Sequence, residues 1–207
     1  MASPIISPTN FVFEEINFFP TDDGRINFVQ FMKATSDLLV LVDRLGKVFV
    51  PVKHDMQGNI DKIIKHYKYK EDSCLLELML EEIHNGKPIA AESVLWLNRA
   101  LLFFELTFQE LLRNLKFQQY DANMKKIFTL AYEGSVKQYH NWVTQQIFNA
   151  ICKMSPTLPQ ILKAFEVEDN IKAFESKLSN FNVTLHLVRC KIDNFFRDHN
   201  LFNNTNQ

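Results

Sequence analysis

This chain is short of everything that punctuates a polypeptide. Its 207 residues include five glycines and seven prolines, too few for the many turns of a β-sandwich or barrel, so an all-α chain of long helices is expected. Its three cysteines, Cys74, Cys152 and Cys190, are an odd number at spacings that match neither a disulfide framework nor a zinc site. It also lacks an excess of either charge. Against 23 basic side chains stand 24 acidic ones, with a pI near 6.6, so no basic field points to nucleic acid and there is no acidic tail. No run reaches the ~18 uncharged apolar residues of a membrane span. The opening Met-Ala-Ser-Pro-Ile-Ile-Ser-Pro has no basic lead or apolar core of a signal peptide. A soluble protein in a reducing, cytosolic setting is therefore expected. In that setting Asn182-Val183-Thr184 and Asn203-Asn204-Thr205 are chance matches to the glycosylation pattern.

What the chain does have is phenylalanine, 19 in all. Aromatic rings supply large apolar area, enough for either a thick core or the wall of an apolar cavity. For any single Phe, plain core filling is the commoner role. The length suits one domain with a sizeable core. We divide it into an N-terminal arm over residues 1–22, a helical domain over 23–199 and a polar tail over 200–207. The arm carries Pro4, Pro8 and Pro20 and tucks Phe11, Phe13, Phe18 and Phe19 onto the body. Its Asn17-Phe18-Phe19-Pro20-Thr21-Asp22-Asp23 tract, after Glu14-Glu15, faintly resembles the two-phenylalanine acidic tract read by endoplasmic-reticulum receptors, with Pro20 interrupting the pattern.

The most informative helix starts at Pro51, whose missing N–H suits a first turn. Apolar residues then fall at 52, 56, 60, 63, 64 and 67, close to the helical period. Asp55, Asn59, Lys62 and His66 form a second arc bordering the first. It sets a carboxylate, an amide and an ammonium in a row beside the core boundary, which is either a solvated face or a place for something polar to lie. Before it, Asp22 or Asp23 can cap a helix running to Leu45, with Gly46 ending it. After it come helices over 71–84 and 90–117, the latter apolar over about half its circumference and so central. A further helical stretch is expected over 121–152, then a short helix over 160–165 and a long amphipathic one over 168–199. Trp96 sits one turn beyond Glu92 at the edge of the central helix's apolar arc, offering a flat face and one N–H. On a continuous helix His140 and Trp142 would diverge by about 200°, one facing inward and the other out.

Three groups of residues, in this order, resemble the glycolipid transfer protein family. They are Asp55-x-x-x-Asn59-x-x-Lys62 after Val48-Phe49-x-Pro51-Val52-Lys53, then Trp96-Leu97-x-Arg99-Ala100-Leu101-x-Phe103, then Tyr139-His140-Asn141-Trp142 with Gln146-Ile147-Phe148. The resemblance spans about residues 25–195. It implies a single-domain, two-layer sandwich of about eight helices enclosing an apolar lipid pocket, and a non-enzymatic carrier that moves a glycosphingolipid between membranes. It further implies that Asp55, Asn59 and Lys62 hydrogen-bond the first sugar, that Trp96 stacks beneath it, and that Asp55 and His140 hold the ceramide amide. Each assignment is chemically apt, because a sugar presents both hydroxyls and an apolar C–H face.

Withdrawing two lipid chains from a bilayer needs an apolar sleeve, since each buried CH₂ is worth about 0.8 kcal/mol. Val52, Phe103, Phe148 and Leu162 are candidate lining residues, with ordinary core as the alternative for each. Trp142 is the candidate membrane contact. Glu92 departs from the apolar residue common at its position in the family and bears on headgroup choice. The tail after Leu201 lacks the tyrosine-containing C-terminus of some members. In the related ceramide-1-phosphate branch the positions of Glu92 and Trp96 tend to be arginine and that of Asn59 basic. A phosphate monoester carries about −1.5 to −2 charges, so Glu92 favours a neutral sugar. A phosphosphingolipid carrier is the runner-up, and a lipid-sensing interaction scaffold comes third. An enzyme is least favoured: His140 has no nucleophile partner by motif, and His54, His66 and the His186/Cys190 pair make no metal spacing. No cofactor is expected. The partners expected are the glycosphingolipid and, transiently, the membrane surface, with the protein a monomer.

Overall fold

The computed structural model describes residues 13–201. Most of the proposed tail, Asn203, Pro4, Pro8 and Phe11 lie outside that range. Eight α-helices follow one another: α1 (Phe28–Arg44), α2 (Val50–His66), α3 (Leu75–Asn85), α4 (Ile89–Lys116), α5 (Met124–Glu133), α6 (Trp142–Lys153), α7 (Leu158–Ala164) and α8 (Ile171–Asp198). Short 3-10 turns separate some of them, and among the described residues the extended pairing amounts to one isolated bridge, Asn27 with Cys74. The expected all-α architecture is what the chain adopts.

Helix α4 is the axis of the molecule and packs against α2, α3, α5 and α8. Its apolar residues bury on several sides, among them Leu97, Leu101, Phe104, Phe108 and Leu111, as a helix apolar over so wide an arc must. A polar cluster pins α8 to it. The Glu105 carboxylate, 2% exposed, accepts from Arg189 Nε and pairs with His186 Nδ1 at 2.7 Å. Arg189 also donates to Asp193, which accepts from Asn98 Nδ2 at 2.6 Å. A carboxylate so deep in apolar surroundings is tolerable because its oxygens meet donors, one of them a guanidinium.

Several helix ends differ from the sequence expectation, each for a local reason. Helix α1 starts at Phe28 and not after Asp23, because Asn27 caps it by accepting from the Gln30 N–H, the ordinary role of an N-cap amide. Upstream, Asp22–Gly24 forms a 3-10 turn with Gly24 at φ +69°. Helix α3 starts at Leu75 and not near Glu71. The backbone of 73–75 pairs with 26–28 through Phe28 N to Ser73 O and Leu75 N to Ile26 O, both 2.8 Å. Gly46, at φ +99°, follows α1 and turns the chain toward α2, a conformation that costs other residues.

Residues 13–19 lie on the body. Phe13 meets the Phe174 ring edge-on at 4.7 Å, and Phe19 packs between Phe31 and Phe181. The Asn17 amide and backbone both donate to Asp37, and the Phe19 N–H donates to Thr184 Oγ1. Phe18 is the ring left at the surface, under the Lys177 ammonium. A receptor that read the Phe18-Phe19 tract as an extended peptide would have to strip Phe19 from the core. Asn182 of the first glycosylation pattern is 6% exposed on α8, a poor acceptor site.

Candidate functional site

Between α2, α4 and α6 lies a cavity of about 250 Å³. Val52 and Asp55 reach it from α2, Phe103 from α4, His140 from the segment before α6, and Phe148 from α6 itself. Five of the residues singled out by sequence thus share one wall, polar at one place and apolar elsewhere. Phe103 meets Phe148 edge-on at 5.3 Å. Leu162 does not join them. It is buried core on α7, and its neighbour Ile161 faces a separate, closely packed apolar slit of about 20 Å³ that also meets Phe108 and Phe165. Phe104 borders both spaces.

His140 is presented by a break in helical structure where one continuous helical stretch was expected. Helix α5 ends at Glu133, and the Ser135 hydroxyl turns back onto the Ala131 carbonyl at 2.6 Å. A 3-10 turn over Lys137–Tyr139 follows, and His140 itself is extended, at φ −91° and ψ 136°. Asn141 then caps α6, its side chain accepting from the Thr144 N–H. The Gln145 amide donates to the backbone carbonyls of both His140 and Lys137, closing the turn. So His140 and Trp142 do face different ways, but a helix start separates them and not a helical twist. Trp142, at 72% exposed, stands outward, and Val143 and Ile147 on the same helix are exposed as well. Ile147 also borders the cavity.

Asp55 is exposed overall and His140 half-buried, and partial loss of water at the cavity shifts both toward their neutral forms. Desolvation raises the Asp55 carboxyl, against the pull of His140 and Lys62. Desolvation lowers the His140 imidazole, against the pull of Asp55. Each is near enough to affect the other's proton affinity. Behind His140, the Tyr132 hydroxyl lies 3.0 Å from Nδ1, and the Tyr132 ring stacks flat on Phe148 at 3.9 Å.

The remaining headgroup candidates lie along α2 and α4. Asn59 is 6% exposed and donates one N–H to the Asp55 backbone carbonyl at 3.0 Å. Lys62 is exposed and acts on Asp55 by charge. Trp96, half-buried, meets the Tyr139 ring edge-on at 6.0 Å. Arg99, left out of the sequence-based site, lies against both rings, its guanidinium carbon 3.6 Å from the Tyr139 centroid and 4.7 Å from that of Trp96. Burial lowers its proton affinity, while Tyr139, Asp193 and Glu92 support the charge. Glu92 is exposed one turn before Trp96. Sequence reasoning also missed Tyr132 and Gln145. The signal for Arg99 was its place three residues after Trp96; the other two carry none until the turn is folded.

No three His, Cys, Asp or Glu side chains cluster as a metal site among the described residues, and no described helix is long and apolar enough to cross a membrane. The cavity can accept an amide N–H at Asp55, meet a carbonyl at His140 and cover apolar chain with Phe103 and Phe148. The sequence model of the Glycolipid transfer protein (GLTP) family matches residues 26–167. The glycolipid transfer protein of Danio rerio is 32% identical over 177 residues, covering 78% of this chain and 84% of that protein. Glycolipid transfer protein 1 of Arabidopsis thaliana is 27% identical over 180 residues, covering 84% and 87%. In fold the chain is similar to FAPP2, which selects simple glycosphingolipids using the GLTP-fold, with a TM-score of 0.76 and 24% identity over 95% of this chain and 96% of that one. It is also similar to mouse ceramide-1-phosphate transfer protein, with a TM-score of 0.77 and 19% identity over 92% and 94%. This chain belongs to the glycolipid transfer protein family.

Proposed function

We propose that the protein is a non-enzymatic carrier that withdraws a glycosphingolipid from one membrane and releases it at another. The observation that carries this reading is one cavity lined by Asp55 and His140, each near enough to act on the other's charge, and by the rings of Phe103 and Phe148. In this reading Asp55 accepts from the ceramide N–H and from a sugar hydroxyl, and His140 donates to the amide carbonyl. Asn59 and Lys62 add contacts to the first sugar, and the Trp96 face covers its C–H side. The chains enter the cavity past Val52, Phe103 and Phe148. Trp142 and its exposed apolar neighbours on α6 meet the membrane at headgroup level, where an amphipathic ring is at home. The carrier works in the cytosol as a monomer and touches membranes transiently.

The test is native mass spectrometry of the purified protein after exposure to a cellular lipid extract, with vesicle transfer assays using matched acyl chains. Retention and transfer of glucosyl- or galactosylceramide are expected. Ceramide-1-phosphate carried equally well or faster would favour the second reading, a phosphosphingolipid carrier. That reading draws on Arg99 and Lys62, two cations near the headgroup positions, whereas Glu92 opposes a phosphate.

A further inference from the structure

Tyr132 is the largest fully buried side chain of α5, 1% exposed, and its ring lies flat on Phe148, 3.9 Å between centroids and 6° between planes. That stacking fixes where its hydroxyl points, which is at His140 Nδ1, 3.0 Å away. A phenol and an imidazole nitrogen can share a proton in two ways. If Nδ1 carried the hydrogen and donated to the phenol oxygen, the phenol O–H would have to find another acceptor, and burying a donor without one is costly. Among the described residues the hydroxyl's hydrogen bond is to His140 Nδ1. The arrangement that uses the phenol O–H within this pair has the phenol donating and Nδ1 accepting. His140 is meanwhile held on its backbone side by Gln145, whose amide donates to the His140 carbonyl at 2.8 Å, which fixes the main chain from which the ring projects.

We infer that Tyr132 is a positioning residue that sets the tautomer of His140, leaving Nε2–H as the hydrogen that the imidazole offers to the cavity. The inference rests on the carrier reading above and sharpens it. A neutral imidazole with its proton on Nε2 meets an acceptor, while Asp55 meets a donor. Together they require a ligand with a carbonyl beside an N–H, which is an N-acylated amine. A lipid whose amine is alkylated instead loses the carbonyl and is a secondary ammonium at neutral pH, so it offers only donors and gains nothing from an Nε2–H. With the opposite tautomer, Nε2 would face the ligand carbonyl with a lone pair and repel it.

The experiment uses the full chain labelled with ¹⁵N at histidine, the His140 signals being assigned by their loss in His140→Gln. At neutral pH the unliganded wild type is expected to show Nε2 protonated and Nδ1 bare. Tyr132→Phe keeps the ring stack and removes the hydroxyl; the His140 signals should then move toward a mixture of tautomers. Binding of N-acyl glucosylceramide should weaken about tenfold, while binding of an N-alkyl analogue of the same chain length, which can only donate, does not weaken. Wild-type His140 protonated at Nδ1 would overturn the inference, and so would a Tyr132→Phe protein with the same tautomer. Equal losses for the two lipids would also overturn it, since that is what a purely structural role predicts. If Tyr132→Phe does not fold, the wild-type tautomer still decides. That measurement needs no ligand, so it stands or fails separately from the glycosphingolipid assignment.

Discussion

Asp55 is the residue on which most of the proposed recognition converges, and its environment works against it. Although the residue is exposed overall, partial desolvation at the cavity holds its carboxyl above the usual value of 3.8, with His140 and Lys62 countering in part. An acid whose folded-state value is raised disfavours the fold once ionised, a penalty present at neutral pH and gone below the unfolded value. Asp55→Val should thus abolish glycosylceramide transfer between vesicles while leaving thermal stability equal or slightly higher, the gain being small because solvent screens the carboxylate. Normal transfer by a folded variant would remove Asp55 from the site. His140 runs the other way. Its value is held below the ordinary 6.5 by burial, so as pH falls past that point the unfolded chain binds the proton first and stability declines. His140→Gln should flatten the decline in denaturant midpoint between pH 7 and pH 5. An unchanged slope would mean the imbalance lies elsewhere.

At the scale of elements, α4 is anchored by apolar packing on several sides and by one ionic cluster on the α8 side. Glu105 is held by Arg189 and His186 with 3% of its side chain exposed. Removing one member strands the other charge, so Arg189→Met alone should cost about 3–5 kcal/mol in urea unfolding. Glu105→Met together with Arg189→Met should recover most of that loss. If the double variant is as unstable as the single one, the cluster stabilises by more than mutual neutralisation. Helix α6 turns Phe148 inward to the cavity and Trp142 outward to solvent. Trp142→Ala should weaken adsorption to neutral vesicles about tenfold and slow transfer, with glycolipid affinity in detergent little changed. Unaltered adsorption would place the docking surface elsewhere.

For the whole molecule the question is how a space of about 250 Å³ takes a two-chain lipid, when pockets for even drug-sized ligands are roughly 300–1,000 Å³. The wall between the two spaces is aromatic: Phe104 borders both the cavity and the inner apolar slit, and Phe103 stacks on Phe128 at 6.0 Å. Loading must move such rings apart, with the apolar area gained by the chains offsetting the packing lost. The chains contribute alike to any sphingolipid, so headgroup choice falls to the rim. Glu92→Arg combined with Trp96→Arg should turn preference from glucosylceramide toward ceramide-1-phosphate, because two guanidinium groups then join Lys62 and Arg99 around a dianion. With matched acyl chains only the headgroup differs, and an unchanged ratio of transfer rates would show that the rim does not select.

The sequence alone determined the fold class, the central place of α4 and the helix that carries Asp55, because these rest on 3.6-residue periodicity and on Pro51 at a helix start, both local properties. The order of the three residue groups was equally legible. Other features waited for the tertiary structure. The expected continuous helical stretch over 121–152 is broken at Gly134, since the turn that presents His140 is held by Gln145 and by the Asn141 cap, contacts a periodicity argument ignores. Leu162 has the right character for a lipid wall yet belongs to the core, because a helical wheel tells inside from outside and not one interior space from another. The placement of Arg99 against Trp96 and Tyr139, and of Tyr132 behind His140, joins separate elements. Only the packing of those elements decides which side chains meet, since the pairs depend on the path of the chain between them and not on the residues' own spacing.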